Sequence, residues 1–296
     1  MELRRERATR VVTLGGGHGQ ANLLRAMRQL ECEIRALVSV VDDGGCSGIL
    51  RRTLGMPPPG DVRRCLCALA QEPELAEYFE SRTPEGRSRG NLMMAELWSH
   101  SKNLQNVSDH MGRWLRVEGR IHPVSNSRCT IRAHDRDGNL VEGECEVSQA
   151  DIDPLSVRVD SFGVANPAAV RAILDADIVL FGPGSLITSV LAAVLSPGIA
   201  EALEASTAKK VFIANVTLGS VANDSISAFS FVELLQQHLE RRNGKPVDEL
   251  ISVLDAEFCF GKIEDWPIVT GPVRDGDEHD PKRLAKIIGD ALELPF

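Results

Sequence analysis

The chain has 296 residues, 43% of them hydrophobic and 25% charged, which is enough for one large α/β core or two small ones. A net charge of −9 argues against a nucleic-acid coat or a polybasic membrane binder. The seven cysteines are odd in number and form no C-x-x-C pair, which argues against a disulfide framework or zinc knuckle and fits a reducing cytoplasm.

Met1 to Arg10 lacks an apolar signal core, and no run reaches the ~18 apolar residues of a membrane span. The first apolar run, Val11 to Leu14, reads as a strand that ends in Gly15-Gly16-Gly17-His18-Gly19. A helix follows, with Leu23, Leu24, Met27 and Leu30 on one face. Strand, glycine loop and helix form a phosphate-holding arrangement, because the backbone can approach closely and the first-turn N–H groups favour an anion. The loop is not a dinucleotide fingerprint, since Gln20 stands where a third glycine is needed, and no Lys-Ser/Thr follows to make a Walker loop. A hydride-transferring oxidoreductase is therefore disfavoured.

Ile34 to Val41 reads as a second buried strand, ending in Asp42-Asp43-Gly44-Gly45-Cys46-Ser47-Gly48. One of its two carboxylates can accept a ribose hydroxyl, or the pair can hold magnesium with phosphate and water. An Asx turn with no ligand role is the plain alternative. Gly55 to Asp61 contains three consecutive prolines and cannot be helix interior. Asp61 is expected to cap the next helix, through Val62, Leu66 and Leu69. Arg51, Arg52, Arg63 and Arg64 make this neighbourhood locally basic.

Residues 72 to 116 read as helical, with a surface-loop break at Ser81 to Arg89. Arg128 to Ala133 and Leu140 to Glu146 read as two strands joined at Asp137-Gly138, a hairpin excursion from the main sheet. The alternating pattern then resumes. A helix is expected over Pro167 to Asp175, a strand over Ile178 to Phe181, and a helix over Leu186 to Leu195 after the turn Gly182-Pro183-Gly184-Ser185. Val211 to Ala214 is the next strand, ending at Asn215. A helix over Phe229 to Arg241, a strand over Leu250 to Leu254 and a helix over Pro281 to Leu292 complete the chain. Strands alternating with helices imply a mostly parallel sheet covered on both faces. The expected organisation is one α/β domain over 1–296, with an inserted helical and hairpin region at about 72–150.

Loops after the C-terminal ends of parallel strands share one edge of an open sheet, where ligands bind. The glycine loop, the Asp42 loop, the Gly182 turn and Asn215 are expected to converge there. Ser185, Thr188 and Ser189 either donate to a phosphate or cap their helix.

Taken together, Val11 to Gly19, Val40 to Gly48, Met56 to Arg63, Gly90-Asn91-Leu92 and Phe181 to Ser189 resemble the YvcK/CofD-like family, most closely its gluconeogenesis-factor branch. The resemblance implies a Rossmann-like three-layer core. CofD members are 2-phospho-L-lactate transferases, which move a phospholactyl group from a nucleoside-diphosphate-activated donor to a deazaflavin with magnesium. Members of the other branch bind a UDP-linked amino sugar and support cell shape and growth on gluconeogenic carbon. Carried over by motif, the glycine loop (Gly15, Gly16, Gly17, His18, Gly19), Asp42, Asp43, Gly44, Gly45, Ser47, Gly60, Asp61, Asn91, Gly182, Pro183, Gly184, Ser185, Thr188 and Asn215 would line the ligand pocket. Asp42 and Asp43 are the candidate catalytic and magnesium-holding residues. No tightly bound organic cofactor is implied, a nucleotide or nucleotide-sugar is the expected partner, and a homodimer stays open. Ile226 stands near where the family carries a tyrosine.

Overall fold

The computed structural model describes residues 7–216, 233–235, 237–238, 250–255 and 268–296. The expected helix over Phe229 to Arg241 lies largely outside them, and Ile226 lies wholly outside. The fold is a mixed α/β architecture around a seven-stranded sheet in the order β10-β9-β8-β7-β1-β2-β3, with every neighbouring pair parallel.

Strand β1 (Thr9–Gly15) is an inner strand beside the central β7, and its Val11, Val12 and Leu14 are fully buried. A strand buried on both faces reads as an unbroken apolar run, as this one does. The chain moves outward from β1 through β2 (Cys32–Val38) to β3 (Arg120–Pro123). It then returns to the other side of β1 and moves outward again through β7 (Ile178–Phe181), β8 (Lys209–Ile213), β9 (Leu250–Asp255) and β10 (Ile268–Gly271). The direction of winding reverses between β1 and β7. Right-handed crossovers running in opposite directions place their helices on opposite faces of the sheet.

Helix α1 (Gly17–Met27) presents Leu23, Leu24 and Met27 to the core, as the spacing predicts. Gln20, in the first turn of the same helix, is fully buried. Its amide donates to the Thr13 carbonyl, the Thr13 hydroxyl and the Leu37 carbonyl, and its own carbonyl oxygen accepts from the Cys65 thiol. The residue that breaks the dinucleotide spacing thus ties β1 to β2 and to helix α3 (Gly60–Leu69).

Helices α4 (Pro73–Glu80), α5 (Arg89–Ser101) and α6 (Leu104–Trp114) follow the expected pattern, with the break at 81–88, whereas helix α2 (Gly45–Leu54) forms where the sequence reading named no element. The excursion is a three-stranded antiparallel sheet, β5-β4-β6, made of β4 (Cys129–His134), β5 (Leu140–Glu142) and β6 (Arg158–Ser161). It therefore runs past residue 150, while β3, within the 72–150 stretch, belongs to the main sheet.

One boundary differs from the sequence expectation. The strand expected to run to Glu146 stops at Glu142. Gly143 turns the chain with φ +101°, and Glu144–Gln149 forms helix α7. The Asp43 carboxylate, about a hundred residues earlier, accepts the Cys145 N–H at 3.0 Å and supplies the missing cap.

Helix α8 (Pro167–Leu174) begins with proline in its first turn and is capped by Asn166. The run after Ser185 opens as a π-helical turn, Leu186–Leu191, and continues as α9 (Ala192–Val194). Both are buried against the sheet. The final helix, Pro281–Leu292, has the expected bounds and is capped by Asp280. Among the described residues no single helix is long and apolar enough to cross a membrane.

Candidate functional site: two clefts on the ligand edge

The expected site residues gather at the C-terminal edge of the sheet but divide between two neighbouring clefts. The first lies where the winding reverses, outside β1, β7 and β8. Its cavity of about 220 Å³ is lined by His18, Gly19, Asn22, Pro183, Gly184, Ser185, Asn215, Val216, Asp277, Glu278 and His279. The two glycine turns meet there. A Cβ on Gly19 would stand 2.5 Å from the Pro183 carbonyl oxygen and 2.7 Å from the Gly184 nitrogen. Only glycine permits that approach. Gly17 has φ +67°, and a Cβ there would meet only Ser189 Oγ, at an ordinary 3.9 Å, so its requirement is conformational.

Asn215 locks the second turn. Its Oδ1 accepts the Gly184 N–H and its Nδ2 donates to the Gly184 carbonyl, both at 2.9 Å. These two expected ligand-binding residues therefore hold each other. Ser185 caps the following helix by accepting from the Thr188 N–H at 3.2 Å, and the Thr188 hydroxyl donates to Ser185 Oγ at 2.9 Å. This is the capping alternative, with Thr188 turned inward. From the far end of the chain, the hairpin β11 (Arg274–Asp275) and β12 (Glu278–His279) closes one side of the cleft. Asn22 donates to Glu278 at 2.8 Å, and the buried His279 contacts the Ala214 carbonyl at 3.0 Å. Nothing near the glycine loop in sequence points to this hairpin.

The second cleft, of about 200 Å³, lies outside β2. Asp42, Gly44, Gly45, Cys46, Ser47, Gly60, Arg63, Arg64, Arg82, Ser88 and Asn91 line it. A Cβ on Gly60 would press on Ser47 Oγ at 2.5 Å and on Asp42 Oδ2 at 3.2 Å, so α2 and α3 start in close contact. Arg63 and Arg64 are the part of the basic cluster that reaches this cleft. Arg51 instead ties α2 to the excursion, donating to the Cys129 carbonyl and the Thr130 hydroxyl. Arg82 and Ser88 come from the 81–88 loop and the cap of α5, and sequence reasoning passed over them.

Gly15, Gly16, Gly17, Asp43, Asp61, Gly182 and Thr188 line neither cleft. Asp61 lies between the two. It is not the helix cap, because the cap position of α3 is Pro59. It occupies the first turn instead, where its carboxylate accepts from Arg64 at 2.6 Å and from the Gly17 N–H. A Cβ on Gly16 would come within 2.7 Å of it. Burial pushes the Asp61 carboxyl up, while Arg64 and the Gly17 N–H pull it down.

Asp42 and Asp43 point to different tasks. Asp42 Oδ1 accepts the Gly44 N–H at 2.9 Å. Asp43 is spent on the cap of α7. The carboxylate that joins Asp42 is Glu144, which α7 delivers and which the expected strand had hidden. Burial, followed by the charges of Asp42 and Asp61, pushes the Glu144 carboxyl up to about 8, with a hydrogen bond to Asp42 contributing. At neutral pH Glu144 is the acid that can hold a proton against Asp42. Among the described residues no three His, Cys, Asp or Glu side chains converge as a metal-ligand set. The crowded carboxylates Asp42 and Asp61 still fit magnesium, which is commonly held by one or two carboxylates with phosphate and water completing the shell.

A reversal of winding with glycine turns at its edge is the topological switch point of a doubly wound α/β fold. Within that class the chain belongs to the CofD family. The family profile described as 2-phospho-L-lactate transferase CofD matches residues 11–259. The chain is 37% identical over 294 residues to a protein named gluconeogenesis factor from Halalkalibacterium halodurans, covering 93% of this chain and 86% of that protein. It is 34% identical over 248 residues to the Bacillus subtilis gluconeogenesis factor, covering 78% of this chain and 75% of that one. The crystal structure of a UPF0052 family member from Bacillus halodurans superposes with a TM-score of 0.83 at 29% identity, covering 96% of this chain and 99% of that chain.

Proposed function

We propose that this protein binds a nucleotide or nucleotide-sugar at the first cleft and acts as a gluconeogenesis factor, supporting cell shape and growth on gluconeogenic carbon. The observation that carries the binding reading is the contact between the two glycine turns where the winding of the sheet reverses. Parallel α/β sheets bind ligands in that crevice. The Gly17 N–H at the start of α1 is taken by Asp61, and the next first-turn N–H groups have no partner within the helix, which suits a diphosphate. Gly184 has its N–H and carbonyl taken by Asn215, so it shapes the wall rather than donating to the ligand. The names of the relatives support the physiological half of the reading.

A second reading is favoured by the carboxylates beside the cleft: a magnesium-dependent transferase using a nucleoside-diphosphate-activated donor. Asp42 and Asp61 would hold the metal, which would neutralise diphosphate charge. Glu144 would hold a proton at its carboxyl, and Asp43 would keep α7 in place.

The test is a thermal-shift and calorimetry panel of uridine and guanosine diphosphates and their sugars, with magnesium and with EDTA. A ligand present at a hundred times its dissociation constant adds about 2.7 kcal/mol of stability. Stabilisation by at least one nucleotide is expected. No response to any of them refutes the binding reading. Affinity unchanged by EDTA removes the magnesium-transferase reading and leaves the binding protein.

A further inference from the structure

Helix α8 runs Pro167-Ala168-Ala169-Val170-Arg171-Ala172-Ile173-Leu174, with Arg171 its only polar side chain. Ala169, Ala172 and Ile173 are buried, which accounts for one face. Pro167, Val170, Arg171 and Leu174 recur at helical spacing on another face, where Leu174 is 49% exposed. A helix that is apolar all round is normally covered on every side.

This outer face is one wall of an apolar groove of about 640 Å³. The turn Gly163-Val164-Ala165 and the pair Pro197-Gly198 complete it. The turn is a fixed ridge. The Ser125 hydroxyl donates to the Val164 carbonyl at 3.2 Å, and a Cβ on Gly198 would come within 2.7 Å of the Ala165 Cβ. Just before the turn, Phe162 holds its ring centroid 5.1 Å from the Arg128 guanidinium. Phe162 is nevertheless 78% exposed and Val164 81% exposed. Two large apolar side chains thus project from the rim of an apolar furrow.

The charges on this face indicate what covers it. Arg171 is exposed, and its guanidinium has no partner among the described residues. Asp175 stands one helical turn further on and keeps 43% of its side chain exposed, with Arg35 at 3.7 Å. The two opposite charges do not pair with each other within the chain. A two-fold axis passing midway between them would bring Arg171 of each copy to Asp175 of the other, the reciprocal contact that an isologous interface requires. A foreign partner would not call for both signs on one turn of the same helix. Burying a phenylalanine removes ~150–250 Å² from water, so Phe162 supplies on the order of a fifth of the ~800 Å² per partner of a standard interface.

We propose that this face is an isologous dimer interface whose occupant is a second copy of this chain. The two α8 helices dock antiparallel, Phe162 and Val164 of each copy seat in the groove of the other, and Arg171 pairs with Asp175 across the axis. The groove shares no lining residue with either cleft, so the contact stands whether or not the nucleotide reading holds.

The experiment reads the mass of the full chain by sedimentation velocity and light scattering at about 1–100 µM. The expected species has twice the mass of the 32.2 kDa chain. F162S and L174E alter exposed side chains, leave the core untouched, and each weaken the dimer about tenfold or more. R171D makes the contact acidic on both copies, D175R makes it basic on both, and each alone is expected as a monomer. Mixed in equal amounts, these two variants associate again, because each copy then meets the opposite sign. A segment of the same chain lying over α8 would not be rescued by a second chain. Circular dichroism checks the fold of each variant. F162S, L174E and R171D keep the test decisive if D175R fails to fold beside Arg35.

A chain that stays monomeric at about 100 µM overturns the proposal. A dimer that F162S, L174E and R171D all leave intact overturns it too, since the contact then lies elsewhere. So does a mixture of folded R171D and D175R that remains monomeric.

Discussion

In the first cleft the walls are peptide groups. Gly19, Pro183 and Gly184 touch backbone to backbone, and the one side chain that organises them, Asn215, does so by pairing with a peptide. In the second cleft the walls are the ends of side chains, Arg63, Arg82, Asn91 and Asp42, brought from two helices, a loop and a strand end. A backbone wall leaves a local trace, because only glycine tolerates the approach. A side-chain wall leaves a weaker one: Asp42, Ser47 and Asn91 are legible only inside their motifs, and Arg82 and Ser88 are not singled out at all.

The sharpest way to break this comparison is G19V. Its Cβ would fall 2.5 Å from a carbonyl oxygen that has no side-chain freedom to move away. Nucleotide affinity is expected to fall by about a hundredfold or more, with an overpacking cost of about 1–3 kcal/mol. Calorimetry and urea unfolding measure both. A folded G19V that binds nucleotide normally would place the ligand elsewhere.

The next test concerns Glu144, which lines neither cleft but faces Asp42 of the second. The folded-state pKa of Glu144 is raised, so the stability it contributes is present below its unfolded value and lost as pH rises through about 8. Replacement by Gln in E144Q removes that dependence. In EDTA, the parent should lose up to about 1.4 kcal/mol per pH unit relative to E144Q between the two pKa values. The two should converge at pH 4, and E144Q should be the more stable at pH 9. Denaturant titrations at several pH values decide it, and parallel curves would mean that Glu144 does not face Asp42.

A smaller effect is expected from D43A, which removes the cap that α7 takes from the second-strand loop. The cost is about 1 kcal/mol, as for other lost caps. Amide exchange should quicken across 144–149 while the nucleotide cleft keeps its affinity. The smallest effect belongs to T188A, which loses only the hydroxyl bond to Ser185 and costs about 0.5–1.5 kcal/mol. A large loss of nucleotide affinity in T188A would return Thr188 to the ligand.

How much the sequence discloses follows the same division. The glycine strings and the apolar runs of β1, β2 and β7 announce the parallel sheet and its ligand edge, because each depends on residues a few positions apart. The final helix is readable to the residue, from Asp280 and Pro281 at its start. Glu144 is not readable. It sits in a segment whose alternation resembles a strand, and its helix exists because Asp43 caps it across about a hundred residues. The 277–279 wall of the first cleft is equally silent, being more than two hundred residues from the glycine loop. Asp61 misleads because an aspartate after a proline run has the chemistry of a cap, while the tertiary fold turns it towards Gly17 and Arg64.

Gln20 sets a limit on how this protein can be converted. Restoring the dinucleotide spacing takes one codon, Gln20→Gly. That change would strip the Thr13 hydroxyl, the Leu37 carbonyl and the Cys65 thiol of their shared partner and leave a hole where the first two strands meet the third helix. The glycine loop is therefore not a dinucleotide loop short of one residue. It is a different solution, in which a side chain fills the volume that a dinucleotide loop keeps clear for close helix–strand packing, and a change of ligand class would have to rebuild the core beneath the loop before it could alter the loop itself.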